Sequence, residues 1–272
     1  MASTGHAGFA KRPCAVVTLF FCQRLPSTDR YVDANPATQN RIAMPRRYQW
    51  LLFDVDDTLL DFQATETAAF ARLLEQLGVA YAPEHRVRYG EINETLWRAL
   101  ERGEITQARL TVQRFEILTA ELGLTIDAQR LSADYLEHIA DCTTFVAGAR
   151  EVIQALSRHY RIGIVSNGFK QIKYRQLANS GFSEHLEAIL ISEEVGAAKP
   201  HADFFDAAFA KIGQPSKDAV LIIGDSLSSD IVGGQAYGID TCWYNPKQLA
   251  LPEQPTPTYT IARLEQLLDL LS

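Results

Sequence analysis

The 272-residue chain has no apolar run approaching the roughly 20 residues of a membrane-spanning helix, so no membrane partner is expected. It has no excess of positive charge. The net charge is −7, which argues against a general affinity for nucleic-acid polymers or membrane surfaces. Its four cysteines, Cys14, Cys22, Cys142 and Cys242, form no CxxC pair and show no zinc-ligand spacing. Their thiols are expected to stay reduced, as in a cytoplasmic protein. The six histidines include no HExxH, and His185 and His201 read as surface residues. GxGxxG and Walker-type loops are missing too, and Ser166 lacks the elbow pattern of a hydrolase nucleophile. Acidic residues are absent before Asp29. Lys11-Arg12 precede a short apolar patch, Ala15 to Phe21, but no small-residue cleavage site follows within Gln23-Arg24-Leu25-Pro26. Over a secretory signal or a transit segment, the favoured reading of residues 1–43 is a disordered extension, or an upstream start with Met44 as the working one.

The remaining composition, 47% hydrophobic and 22% charged, is that of a soluble globular protein. Its length suits one large domain, or a core with a smaller inserted one. The organising stretch is Trp50 to Phe62, WLLFDVDDTLLDF. Trp50-Leu51-Leu52-Phe53 has no polar face and suits a strand buried on both sides of a parallel sheet. It ends in Asp54-Val55-Asp56-Asp57-Thr58, three carboxylates that repel one another unless a cation sits among them. The stretch therefore predicts a bound metal, phosphate chemistry, or both. In an extended chain Asp54 and Asp56 share a face, which allows them different roles.

Residues 63–145 read as four amphipathic helices. Their stripes are Phe70/Leu73/Leu74/Leu77, Ile92/Leu96/Ala99/Leu100, Val112/Phe115/Leu118/Leu122 and Leu131/Tyr135/Ile139/Cys142, and the first three end at Gly78, Gly103 and Gly123. Such a set predicts a small bundle inserted into an α/β pattern. That pattern resumes at Gly148, with strands expected at Arg161–Val165, Ala188–Ile191, Val220–Ile223 and near Thr241–Tyr244, helices between them, and a terminal helix over Ile261–Leu271. Strands alternating with helices predict a doubly wound, Rossmann-like parallel sheet, whose ligands bind beyond the carboxyl ends of the strands. The core is expected to comprise residues 44–62 and 146–272, and the insert residues 63–145.

Four polar clusters stand at four predicted strand ends: Asp54/Asp56/Thr58, Ser166-Asn167-Gly168, Lys199-Pro200, and Gly224-Asp225 with Asp230. Each alone is an ordinary turn or helix start. In this order, each after a buried strand, they resemble the four motifs of the haloacid dehalogenase superfamily of phosphotransferases. The resemblance runs from about Trp50 to the C-terminus, and the insert is similar to that family's C1-type cap. More closely, DVDDTLLDF, SNGF, ISEEVGAAKP and GDSLSSDIVGG resemble the YjjG-type pyrimidine 5′-nucleotidases, which dephosphorylate nucleoside monophosphates.

The resemblance implies Asp54 as nucleophile, forming an aspartyl-phosphate, and Asp56 as the acid for the leaving oxygen and then the base for water. It implies Mg2+, which Mn2+ can replace, bound by the Asp54 and Asp225 side chains and the Asp56 carbonyl, with Asp230 either a further ligand or a partner of the ligands. Ser166, Asn167, Gly168 and Lys199 would hold the phosphoryl group, with Thr58 assisting. The dehalogenases of the superfamily lack the second aspartate, present here as Asp56. The phosphonate hydrolases use a cap lysine, and residues 63–145 contain none. Eight arginines fall in that insert, most expected on solvated faces and one or two toward the site. Phe62 could stack on a base or pack at the hinge of the insert. The expected activity is a nucleoside 5′-monophosphatase, pyrimidine first. The alternatives are a phosphatase for a small sugar phosphate or phosphoglycolate, and a catalytically silent binding module of the same fold.

Overall fold

The structure, a computed structural model, describes residues 47–251 and 253–272. Residues 1–43, singled out in the sequence, lie outside the described part. Strand β1 (Trp50–Phe53) is buried along its whole length. Its alternating side chains enter two separate cores. Leu51 and Phe53 join the cluster formed with Val152, Ile153, Leu177 and Leu267, whereas Trp50 and Leu52 join Phe204, Phe205 and Phe209. This is the two-sided burial that a continuous apolar run predicts.

The other strands are β2 (Arg161–Ser166), β3 (Leu186–Ile191), β4 (Val220–Gly224), β5 (Asp240–Tyr244) and β6 (Tyr259–Ile261). Their order across the sheet is β3-β2-β1-β4-β5-β6, and every pairing is parallel. The chain works outward from β1 through β2 to β3, then crosses to the other side of β1. The crevice opens at that reversal, beyond the carboxyl ends of β1, β2 and β4.

Helices α1 (Phe62–Gln76), α2 (Pro83–Glu101), α3 (Gln107–Glu121) and α4 (Ala128–Asp141) fill the interval between β1 and β2, ahead of α5 (Ala149–Leu156). They enclose a core of their own, in which Tyr89 stacks on Phe70 at 4.8 Å and Phe115 meets Tyr135 edge-on at 5.3 Å. Helices α6 (Lys170–Ser180), α7 (Ser192–Val195), α8 (Ala202–Ile212), α9 (Val232–Tyr237) and α10 (Gln266–Leu270) complete the sheet layers. Among the described residues, no helix is long and apolar enough to cross a membrane.

The C-terminus departs from the sequence reading. The expected helix over Ile261–Leu271 is instead β6 followed by the short α10. Ile261 pairs with Tyr244, and its carbonyl accepts the Asn245 N–H at 2.7 Å. An open sheet edge thus overrides the helical spacing of Ile261 with Leu264. A π-helical turn over Leu227–Ile231 precedes α9.

Candidate active site

Each carboxylate after β1 has its own surroundings. Asp57 adopts φ +57°, a conformation that aspartate tolerates better than most residues. Its Oδ1 accepts the Phe62 and Gln63 N–H groups at 2.9 and 3.2 Å, and its Oδ2 accepts Gln63 Nε2 at 3.1 Å. The third acid of the run therefore anchors the start of α1, where negative charge is favoured.

Asp54 is 7% exposed and faces Lys199. The Lys199 ammonium, 1% exposed, donates to Asp54 Oδ1 at 2.6 Å, Asp230 Oδ1 at 2.7 Å and the Val165 carbonyl at 2.7 Å. Burial alone would lower the Lys199 pKa, but the charges of Asp230 and Asp54 outweigh it and raise it. The Lys199 backbone is clamped by Asn167, whose Oδ1 accepts its N–H and whose Nδ2 donates to its carbonyl, both at 2.8 Å. Asn167, expected to hold phosphate, thus spends its amide on the Lys199 loop.

Asp56 faces a different cation. Lys173, 2% exposed on α6, donates to Asp56 Oδ1 at 2.6 Å and to Gln176 Oε1 at 2.9 Å. Desolvation in the crevice pushes the Asp56 carboxyl up, Lys173 pulls it back, and Asp54 adds to the rise. Lys173 is the site residue that the motif reading missed. Its sequence signal is a lysine on the otherwise buried stripe Ile172, Lys173, Gln176, Leu177, Ser180. Gly168 makes room for it, since a Cβ there would lie 2.9 Å from Lys173 Cε.

Asp225 follows β4, where the Thr58 hydroxyl is 3.3 Å from its Oδ1 and 3.1 Å from its backbone N–H. Thr58 is fully buried, and its contacts tie the first loop to the fourth. Asp230 Oδ2 accepts the Ser226 N–H at 3.1 Å while Oδ1 holds Lys199, so both of its oxygens are engaged. Gly224 permits this fold-back, because a Cβ there would collide with the Asp230 carboxylate. Asp54, Asp225 and Asp230 each bring an oxygen within 4.8 Å of the others. One ammonium stands against these three carboxylates, and burial followed by mutual repulsion raises the Asp225 pKa. Hard oxygen donors with surplus negative charge fit a small divalent cation such as Mg2+.

Ser166 ends β2 at 1% exposure, and its Oγ has no hydrogen-bond partner. A buried orphan hydroxyl beside this crevice suits an absent oxygen ligand. The Gly168 N–H meets Ser192 Oγ at 3.1 Å, and the Gly168 carbonyl accepts Gln107 Nε2 from α3 at 2.8 Å. The insert also reaches the crevice through Glu101. Its carbonyl faces His201 Nε2 at 2.9 Å and its Oε2 accepts the Ser228 hydroxyl at 3.3 Å. Both expected surface histidines carry such local contacts, His185 Nδ1 lying 3.1 Å from the Ser157 hydroxyl.

The profile described as haloacid dehalogenase-like hydrolase matches residues 51–244. The chain belongs to that family. Its relatives include the HAD hydrolase YfnB of Bacillus subtilis, 38% identical over 84% of this chain and 97% of that protein. A crystal structure of YfnB, described as bound to magnesium and revealing interdomain movement, superposes with a TM-score of 0.79 over 84% of this chain and all of that one. The pyrimidine 5′-nucleotidase PynA of Streptococcus pneumoniae is 37% identical over 82% of this chain and 95% of its own length. The pyrimidine 5′-nucleotidase YjjG of Escherichia coli is 32% identical over 83% and 98%. The haloacid dehalogenase-like assignment and its hydrolase chemistry thus rest on a match that runs from β1 through the insert to β5.

Proposed function

We propose that the protein is a magnesium-dependent phosphomonoester hydrolase acting on nucleoside 5′-monophosphates, pyrimidine first, in a cytoplasmic setting. The observation that carries the chemistry is the separation of two aspartates by two lysines, Asp54 on Lys199 and Asp56 on Lys173, each at 2.6 Å. The pyrimidine preference draws on the similarity to PynA and YjjG, both pyrimidine 5′-nucleotidases.

Uncatalysed phosphate monoester hydrolysis is extremely slow, so charge stabilisation and covalent catalysis are both required. Lys199 holds Asp54 Oδ1, which leaves Oδ2 to attack phosphorus. The new O–P bond forms as the bond to the leaving alkoxide breaks. Asp56, whose carboxyl is pushed up by desolvation, gives its proton to that oxygen. It then takes a proton from water as the water attacks the aspartyl-phosphate, restoring Asp54 and releasing inorganic phosphate. Ser166 Oγ and the turn around Gly168 hold the phosphoryl oxygens. Asp54, Asp225 and the Asp56 carbonyl would hold Mg2+, which when bound neutralises phosphate charge and carboxylate repulsion. Asp230, engaged on both oxygens, positions Lys199.

The four-helix insert acts as a cap over this crevice. The cavity between insert and core, lined by Asp56, Phe62, Trp97, Phe169 and Lys173, measures about 30 Å³. That is room for water and not for a nucleotide base, so the insert must swing to admit substrate. The second reading is a phosphatase for a small sugar phosphate or phosphoglycolate, since the chemistry at Asp54 and Asp56 does not depend on what the ester carries. The test is phosphate release from pyrimidine and purine monophosphates, phosphoglycolate and sugar phosphates, with and without Mg2+, for the wild type and for Asp54→Asn. Magnesium-dependent release led by UMP, dUMP or dTMP and abolished in a folded Asp54→Asn variant is expected. Release led by a small sugar phosphate discards the substrate, and turnover by Asp54→Asn discards the nucleophile. Absence of all release from folded, magnesium-loaded protein would leave only the silent binding module.

A further inference from the structure

One of the eight arginines of the insert is set apart by burial. Arg114, on α3, is 2% exposed. Its Nη1 donates to Asn93 Oδ1 at 3.2 Å, and its Nε to the Thr111 carbonyl at 3.3 Å. The guanidinium lies over the rings of Tyr135 at 4.9 Å and Phe115 at 5.2 Å. Its Nη2 has no hydrogen-bond partner. Glu66, the buried carboxylate of this network, is taken by Arg86 at 2.5 Å and by Asn93 Nδ2 at 2.8 Å. Glu66 is paired with Arg86 and also lies in the field of Arg114, and Arg114, the more buried of the two guanidiniums, keeps an unmade donor.

Such a group is costly. A buried donor without a partner forfeits its hydration and gains nothing in return. Inside the insert the guanidinium offsets the buried charge of Glu66 and holds Asn93 through Nη1, but neither contact uses Nη2. Its location gives the reason. Arg114 lines the same cavity as Asp56 and Lys173, and the aromatic rings of Phe62, Trp97 and Phe169 form walls between. Trp97 and Phe169, one from the insert and one from the core, meet edge-on at 6.2 Å. The cavity thus joins the proton donor for the leaving group, aromatic faces, and a charged planar donor.

We infer that Arg114 is a specificity-determining residue that donates Nη2–H to an exocyclic carbonyl oxygen of the substrate's base while the ring lies on the aromatic walls. The inference rests on the nucleotidase reading above and names the group that reads the base. Aromatic walls suit a flat ring and would leave a second anionic group poorly solvated. The neighbouring cation, Lys173, is already spent on Asp56, and of the two unmade donors on this cavity, Arg114 Nη2 and the Tyr135 hydroxyl, only Arg114 carries charge. Uracil, thymine and cytosine all carry an exocyclic carbonyl, whereas adenine carries none. A site built around a donor rejects a ligand that leaves that donor unmade.

The test compares kcat/KM for UMP with kcat/KM for ribose 5-phosphate, which has the same reacting ester and no base, in magnesium-loaded wild type, Arg114→Met and Arg114→Lys. The ratio of the two is expected to fall roughly tenfold to a hundredfold in Arg114→Met, the worth of a hydrogen bond from a charged donor. Arg114→Lys keeps the charge beside Glu66 and loses the planar fork, so its ratio is also expected to fall. If Arg114→Met does not fold, the lysine variant carries the test. An unchanged ratio in folded Arg114→Lys, with both esters slowed together, assigns Arg114 to packing and overturns the inference. A selective loss on phosphoglycolate, with UMP unaffected, overturns it in favour of anion recognition. Wild-type protein that hydrolyses ribose 5-phosphate or phosphoglycolate but no pyrimidine monophosphate overturns the nucleotidase reading itself, before any variant is made.

Discussion

Lys199 is where the fold and the chemistry depend on the same charge, and Lys199→Met exposes that dependence. Methionine keeps the length of the side chain and removes the ammonium. Three acceptors then lose their donor: Asp54 Oδ1 at 2.6 Å, and Asp230 Oδ1 and the Val165 carbonyl at 2.7 Å. Asp54 and Asp230 are 7% and 0% exposed, so water does not replace what is lost. Removing one member of a buried ion pair costs about 3–5 kcal/mol. For a protein of this size that lowers the melting temperature on the order of 10 °C. The penalty comes mainly from carboxylates without a cation, so taking one of them away should return part of it. The double variant Lys199→Met/Asp230→Asn is expected to be more stable than the sum of its two single losses by about 1 kcal/mol or more. The assay is thermal unfolding in chelator and again with Mg2+, together with phosphate release. Mg2+ should narrow the gap between wild type and Lys199→Met without restoring turnover. A Lys199→Met melting temperature within about 1 °C of wild type in chelator would refute the charge argument, as would strictly additive losses in the cycle.

Two further outcomes follow from the same charges. Burial, followed by the charges of Asp54 and Asp230, raises the Asp225 carboxyl to about 9. The folded, metal-free protein therefore binds that proton more tightly than the unfolded chain, so its stability should fall as pH rises from about 4 toward that value. Melting curves in chelator between about pH 5 and 8 should slope downward, and saturating Mg2+ should flatten them; a rising slope in chelator contradicts the assignment. Lys173→Met removes the ammonium that holds Asp56 and should lower kcat by roughly tenfold to a hundredfold, a part of what general acid–base catalysis supplies. Its pH–rate profile should shift with kcat; a fall in kcat with an unmoved profile would reduce Lys173 to packing.

The elements legible in the sequence were those with a strong period or a strong local chemistry. Trp50–Phe53 reads as a doubly buried strand because no residue in it is polar, and the four insert helices read from stripes that are buried in the structure. Asp54, Lys199, Asp225 and Asp230 were legible because each follows a strand end, and the structure brings their side chains together. Lys173 was hidden for the opposite reason. It lies one turn into α6, with no motif around it, and only its burial beside Ile172 and Leu177 reveals it. Strand β6 was missed because Tyr259–Ile261 is three residues long and owes its form to the open edge of β5. Arg114 could be counted among the insert arginines but not told apart from them, because its burial and its orphan nitrogen are tertiary facts.

The loop after β1 explains how three adjacent carboxylates coexist. In isolation each raises the pKa of the others, and the run would favour partial protonation over function. The fold divides them by giving each a different partner. Asp57 turns back onto the first turn of α1, where backbone N–H groups take its charge. Asp54 faces the ammonium delivered by the loop after β3, and Asp56 the ammonium delivered by α6 after β2. Because β2 and β3 lie on the same side of β1, both lysines approach from one flank, and the other flank brings Asp225 from β4. Asp56, paired with Lys173, is thereby separated from the surplus negative charge. That surplus is confined to Asp54, Asp225 and Asp230, the one part of the crevice where a divalent cation would complete the balance.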